Sequence, residues 1–146
     1  MNVLLALGYP LLVVAVLEIL LGILLIRQNT RRSPLNRAVA VFYFISAAFS
    51  LSTSLMYLSA AAGFDHIPYA RLSWIGWFSI HAALQVIFYL RDERGRAARI
   101  IGWIFYPFWS AVLLITMTTD LIVTHHYILW PFDNSPGPLE KPLRLF

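Results

Sequence analysis

The sequence predicts an all-α integral membrane protein, a four-helix bundle that crosses the bilayer four times. Four apolar stretches reach or exceed the roughly 20 residues that a helix needs to cross about 30 Å of hydrocarbon. Charged residues make up only 12% of the chain, which is about half of their share in soluble domains. Eight of the eleven lysine and arginine residues fall in two short segments between the apolar stretches. These three observations together favour membrane spans over a water-soluble core.

The four stretches are expected to form helices because backbone groups in lipid need hydrogen-bond partners within their own segment. Ser33 and Pro34 are expected to open the second helix as a capping hydroxyl and a first-turn proline. Asp65 and Pro68 are expected to open the third helix in the same way, and Pro107 to kink the fourth. The predicted helices cover about residues 3–26, 38–62, 72–90 and 100–126.

The arginines predict the orientation of the chain. The segments at 27–37 and 91–99 contain four arginines each, whereas the segment at 63–69 contains no lysine or arginine. Lys and Arg are enriched in cytoplasmic loops. We therefore expect the first and third loops in the cytoplasm and both termini outside.

Residues 1–130 are predicted to form the bundle, and residues 131–146 an external tail. Three prolines and a glycine within residues 131–138 predict an irregular segment, because proline removes a backbone donor and breaks regular structure. The chain contains no cysteine, which excludes disulfides and thiolate metal sites. It also has no nucleophile–base pair, phosphate-binding loop or metal-ligand spacing, so we expect neither a metal site nor an enzyme.

Polar residues within the spans form a predicted layer. Glu18 lies roughly 5 Å on the cytoplasmic side of the centre of its helix, counted from the helical rise. Ser46, Gln85 and Ser110 lie near the same depth, and His81 lies at the midplane. An ionisable group in the membrane is costly, so we expect the layer to fix helix packing through hydrogen bonds. The alternatives are a proton, quinone or ligand site, or contact with a partner subunit.

Specific roles are also expected for His81 and for an outer polar pair, Tyr57 and Asp120. His81 is a possible axial ligand for haem iron or chlorophyll magnesium, because a neutral imidazole suits both metals. No second histidine lies at its depth, so a packed, hydrogen-bonded His81 is the main expectation. Near the outer end of the fourth helix, Asp120 is expected to pair with threonine hydroxyls and Tyr57 in a capping or interface role.

Several short segments also carry a family resemblance. They are residues 31–37 (Arg-Arg-Ser-Pro-Leu-Asn-Arg), 71–77 (Arg-Leu-Ser-Trp-Ile-Gly-Trp), 119–123 (Thr-Asp-Leu-Ile-Val) and 135–139 (Ser-Pro-Gly-Pro-Leu). With them, nearly the whole chain resembles the N-terminal seven-helix membrane domain of bacterial sensor histidine kinases. That family continues through seven helices into cytoplasmic signalling domains, whereas this chain stops at Phe146. We therefore expect either a fragment or a four-helix half that acts on its own. The resemblance also implies a location in a bacterial inner membrane.

The first functional hypothesis is a non-catalytic accessory subunit of a larger membrane complex, acting by helix–helix association. One alternative is a stand-alone sensory input module, as the resemblance implies. Another is a subunit of an energy-converting complex that holds haem, chlorophyll or quinone. The expected partners are the lipid bilayer and other integral membrane chains, and not nucleic acid, since the arginines follow membrane topology.

Overall fold

The computed structural model describes residues 3–28, 33–91, 95–119, 123–126 and 134–136. A 3-10 turn at Ser73–Ile75 joins α3 (Ile67–Leu72) and α4 (Gly76–Arg91) into a single span, and β1 (Val123–His126) pairs with β2 (Asn134–Pro136) in antiparallel fashion. Within the described residues, four helical spans are long and apolar enough to cross a membrane, which confirms the number of spans predicted from the sequence. The elements are α1 Val3–Arg27, α2 Pro34–Ala61, α3 Ile67–Leu72, α4 Gly76–Arg91, α5 Arg96–Thr118, β1 Val123–His126 and β2 Asn134–Pro136.

Local signals explain where the helices begin. The backbone N–H of Asn36 donates to the Ser33 hydroxyl at 3.3 Å, with proline in the first turn of α2. The N–H of Ile67 donates to the Asp65 carboxylate at 3.0 Å where α3 begins. Both side chains therefore accept backbone N–H groups where α2 and α3 begin, which is the role that the sequence predicted for them. α5 follows Gly95, whose φ of +59° lies in the left-handed region that glycine adopts most readily.

Four predicted helix limits differ from the structure by four residues or more. α2 begins at Pro34 rather than at residue 38, and α5 begins at Arg96 rather than at residue 100. The third span begins at Ile67 rather than at residue 72, because Asp65 initiates a first helical segment ahead of the 3-10 turn. The fourth helix ends at Thr118 rather than near residue 126, and Val123–His126 is a strand. Several β-branched residues near the end of α5 weaken helix propensity, and the Asn134–Pro136 strand supplies a partner for β1. Asn134–Pro136 is the described part of the predicted tail at residues 131–146. The other tail residues lie outside the described residues, so the expectation of an irregular external tail stays a prediction.

The helices pack mainly in chain order. α1 packs on α2, α2 packs on α3 and α4, and α4 packs on α5. α2 is the most enclosed span, with 39% of an apolar 18-residue stretch buried, whereas only 11% of the corresponding stretch of α1 is buried. α1 therefore lies at one side of the molecule and depends on a single face for its attachment.

That face of α1 is built from small residues. Gly8, Ala15 and Gly22 are its buried residues, and their spacing of seven places them on one stripe. A Cβ at Gly8 would lie 2.8 Å from the Leu58 side chain. The Ser54 hydroxyl donates to the carbonyl of Gly8 at 2.8 Å. Small residues therefore let the backbones of α1 and α2 approach closely, as is common in membrane helix pairs.

Candidate functional site

The Glu18 carboxyl group joins α1 to α2. The Ser46 hydroxyl donates to Oε1 of Glu18, and the Ser50 hydroxyl donates to Oε2 at 3.0 Å. Ser46 and Ser50 are four residues apart, so they present their hydroxyls from consecutive turns of one helix face. Glu18 is half-buried, while its neighbours Leu17 and Ile19 are exposed. The acid therefore points toward α2 and has the polar partners that the sequence analysis expected it to need.

A second polar contact joins α4 to α5. The Gln85 amide donates from Nε2 to the carbonyl of Ala98 at 3.0 Å, and the Tyr106 hydroxyl donates to Gln85 Oε1 at 2.8 Å. A Cβ at Gly102 would lie 2.7 Å from Gln85 Nε2. The Gln85 side chain therefore crosses the backbone of α5 at a position where only glycine leaves room for it.

His81 lies in an aromatic cluster between α4 and α5. Its Nδ1 is 3.0 Å from the carbonyl of Trp77 and donates to it, because a carbonyl can only accept. Its ring stacks on Phe105 at 4.3 Å and lies 5.7 Å from Trp109, which in turn stacks on Trp77. The imidazole is buried, with 6% of its surface exposed. These contacts match the packed, hydrogen-bonded histidine that the sequence favoured.

The predicted layer is divided between two helix pairs. Among the described residues, Glu18 bonds to serines of α2, Gln85 bonds to α5, and His81 bonds within its own helix. Ser110 is exposed. The five predicted residues do not converge on one site. The sequence analysis did not include Ser50 or Tyr106 in the layer. Ser50 could have been predicted, because it lies one helical turn after Ser46 and on the same face. No sequence pattern indicated a role for Tyr106.

Of the predicted outer polar pair, Tyr57 and Asp120, only Tyr57 is among the described residues. Tyr57 is buried with Met56 and Ala70, and Leu4, Leu11 and Tyr69 pack around them. Asp120 lies outside the described residues, so its expected pairing with Tyr57 stays a prediction. Tyr57 thus anchors the contact of α2 with α3 and with the start of α1.

A groove of about 860 Å³ lies between α1 and α4, with α2 as its floor; we name it the α1–α4 groove. Several hydroxyls in its lining are already bonded within their own helices. Thr53 donates to the carbonyl of Phe49 at 2.9 Å, and Ser79 donates to that of Gly76 at 2.5 Å. The lining consists of Ala6, Leu7, Pro10, Leu11, Phe49, Thr53, Met56, Tyr57, Ser73, Trp74, Gly76, Trp77, Ser79 and Ile80.

A second, more polar groove of about 450 Å³ lies along α4 and α5; we name it the α4–α5 groove. Arg99 is exposed at one end of it and Ser110 at the other, and Gln85 crosses between them. Trp103, which is 82% exposed, forms part of its wall. Its lining consists of Gln85, Arg99, Gly102, Trp103, Tyr106, Pro107 and Ser110.

The described residues do not suit a haem or a chlorophyll at His81. That residue lines neither groove, and Phe105 and Trp109 pack against its ring. A macrocycle bound to the free ring nitrogen would have to displace these aromatic side chains. The described residues also contain no group of three histidine or acidic side chains placed to hold a metal ion.

Comparison with known proteins gave no match among family models, curated proteins or solved structures. The resemblance to histidine-kinase membrane domains accordingly stays a prediction from the sequence. The two grooves and the polar contacts between helices are the features of this chain from which a function can be inferred.

Proposed function

We propose that this chain is a non-catalytic accessory subunit of a larger complex in a bacterial inner membrane, and that it acts by helix–helix association with another integral membrane protein. The observation that carries the proposal is the α1–α4 groove. Leu7 and Ile80 on its lining are 44% and 50% exposed. Because α1 and α4 both belong to apolar spans, an opening between them faces the bilayer and is accessible to a neighbouring helix.

The composition of the groove supports a protein occupant. Its lining includes the small residues Ala6 and Ser73, which permit the close backbone approach typical of membrane helix pairs. The half-buried aromatic side chains of Phe49 and Trp77 provide contact surfaces of the kind found at interface anchors. The hydroxyls of Thr53, Ser73 and Ser79 donate to backbone carbonyls within their own spans. An apolar helix can therefore dock without leaving those hydroxyls unpaired.

The length of the groove also suits a helix. Its floor extends along α2 from Phe49 to Tyr57, which is about 12 Å at the helical rise of 1.5 Å per residue. Two turns of a partner helix cover this distance and present three or four side chains from one face. By contrast, the outward side of α1 exposes aliphatic residues such as Val13, Leu17 and Leu24, which are suited to lipid chains.

The test fills the groove without disturbing the core. Ala6 lines the groove and is exposed, so Ala6→Phe should occupy the space that a partner needs. Ala111→Phe is the matched control, because Ala111 is exposed on α5 and lines neither groove. Overpacking costs about 1–3 kcal/mol, so Ala6→Phe should weaken recovery of the partner from native membranes by about five-fold to more than a hundred-fold, and Ala111→Phe should not.

Photo-crosslinking identifies the occupant directly. A photoreactive residue at Ile80 should form a protein adduct of one reproducible mass, whereas the same residue at Leu17, on the outward side of α1, should form lipid adducts. If Ile80 gives only lipid adducts and Ala6→Phe leaves recovery unchanged, the accessory-subunit proposal is wrong. The stand-alone sensory module would then be the better hypothesis.

A further inference from the structure

We infer that the α4–α5 groove binds the phosphate headgroup of an anionic phospholipid, at the end of the spans where the arginines cluster. This site is separate from the α1–α4 groove and does not depend on the helix-association proposal. Three features of the described residues carry the inference: the charge at the mouth of the groove, the polar floor made by Gln85, and the aromatic wall that continues toward the middle of the span.

The charge comes from the first turn of α5. Arg99 lines the groove and is exposed, and Arg96 and Arg91 are exposed at the same end of the molecule. A guanidinium group has five N–H donors in a planar fork, which lets it bind phosphate in bidentate fashion while also contacting a protein group. Basic pockets between membrane helices at this kind of interface recognise anionic headgroups.

The floor is held in place by two hydrogen bonds. Gln85 accepts from the Tyr106 hydroxyl at 2.8 Å and donates to the Ala98 carbonyl at 3.0 Å. Its amide nitrogen has two N–H groups, and the bond to Ala98 uses one of them. Because Gly102 has no side chain, the Gln85 amide lies directly over α5 within the groove. A polar donor is therefore positioned next to the arginine.

The depths of these groups follow the order of groups in a phospholipid. From Arg99, the helical rise places Gly102 about 4.5 Å deeper, Tyr106 about 10 Å deeper and Ser110 about 16 Å deeper. Phosphate at Arg99 puts the glycerol and ester region beside Gln85 and Gly102, and the acyl chains along Trp103, Tyr106 and Pro107. Tryptophan favours this interfacial depth. A free phosphate ion would use only the mouth of the groove, so the continuing wall favours a lipid.

The experiment measures lipid retention by the purified full-length chain, using native mass spectrometry in a mild detergent. Phosphatidylglycerol and phosphatidylcholine with identical acyl chains are the two probes, and phosphatidylglycerol should be retained preferentially. Arg99→Gln should lower its retention about fivefold, the effect of one basic residue beside an anionic lipid. Arg27→Gln is the matched control, since Arg27 is exposed at the end of α1, away from the groove, and it should retain the lipid as the unmodified chain does.

A second variant tests the groove without changing charge. Gly102→Leu fills the floor and should reduce phosphatidylglycerol retention, whereas Ala111→Leu should not. Equal losses in Arg99→Gln and Arg27→Gln would mean a diffuse surface-charge effect and would overturn the site. Retention unchanged by a folded Gly102→Leu chain would overturn the groove as its location. Displacement of the lipid by millimolar inorganic phosphate would show that the acyl chains add nothing, and would overturn the assignment to a lipid.

Discussion

Replacing Glu18 by leucine removes the two hydrogen bonds that its carboxyl group accepts from Ser46 and Ser50 of α2. Because α1 packs mainly on α2, these bonds contribute directly to the attachment of the first helix. A double-mutant cycle of Glu18→Leu, Ser46→Ala and the combined variant isolates the energy of the Glu18–Ser46 contact from the other effects of each substitution.

The expected magnitude follows from hydrogen bonds between membrane helices, which contribute about 0.6 kcal/mol on average and up to about 1.7. The two bonds to Glu18 together therefore contribute about 1.2 kcal/mol, with an upper bound of about 3.4. A leucine in the span is itself favourable by about 0.3–0.6 kcal/mol, so the net destabilisation of Glu18→Leu should be modest. The coupling energy of the Glu18–Ser46 pair should be about 0.6–1.7 kcal/mol.

The assay is reversible unfolding of the detergent-solubilised chain by sodium dodecyl sulfate, followed by energy transfer between probes on α1 and α2. The control cycle combines Glu18→Leu with Ser52→Ala. Ser52 is a buried serine of the same helix, but its hydroxyl donates to the carbonyl of Phe49 at 2.9 Å, so it should show no coupling. A Glu18–Ser46 coupling below about 0.3 kcal/mol, within the usual additivity error, would refute the role of this contact.

Two further predictions concern the packing of α1 and the topology of the chain. Gly8→Val would place a side chain where even a Cβ lies 2.8 Å from Leu58, so it should destabilise the same unfolding transition by about 1–3 kcal/mol; an equal effect of Ala111→Val, on the exposed surface of α5, would contradict this. For topology, single cysteines are introduced into a chain that has none. A cysteine at Phe64, 71% exposed between α2 and α3, should react with an impermeant external reagent, and one at Thr30 should not; the reverse pattern would invert the predicted orientation.

The sequence by itself determined the number of spans and the way two of them begin. The length of an apolar run is a property of contiguous residues, and lipid leaves such a run no backbone state other than helix. Ser33 and Asp65 accept backbone N–H groups only two or three residues away. Their role at the helix starts could therefore be predicted from the local sequence. The need of Glu18 for polar partners was predictable for a similar reason, since an ionisable group in hydrocarbon is costly wherever its helix packs.

The tertiary structure alone decided which polar groups meet. Counting the helical rise gives the depth of a residue but not the direction in which its side chain points, so Glu18 and Gln85 appeared to share one layer. Packing instead directs Glu18 to the serines of α2 and Gln85 to Tyr106 of α5. The strand at Val123–His126 could not be predicted from the sequence either, because it pairs with Asn134–Pro136, a segment separated from it in sequence. Both outcomes depend on contacts between distant parts of the chain, which no local pattern encodes.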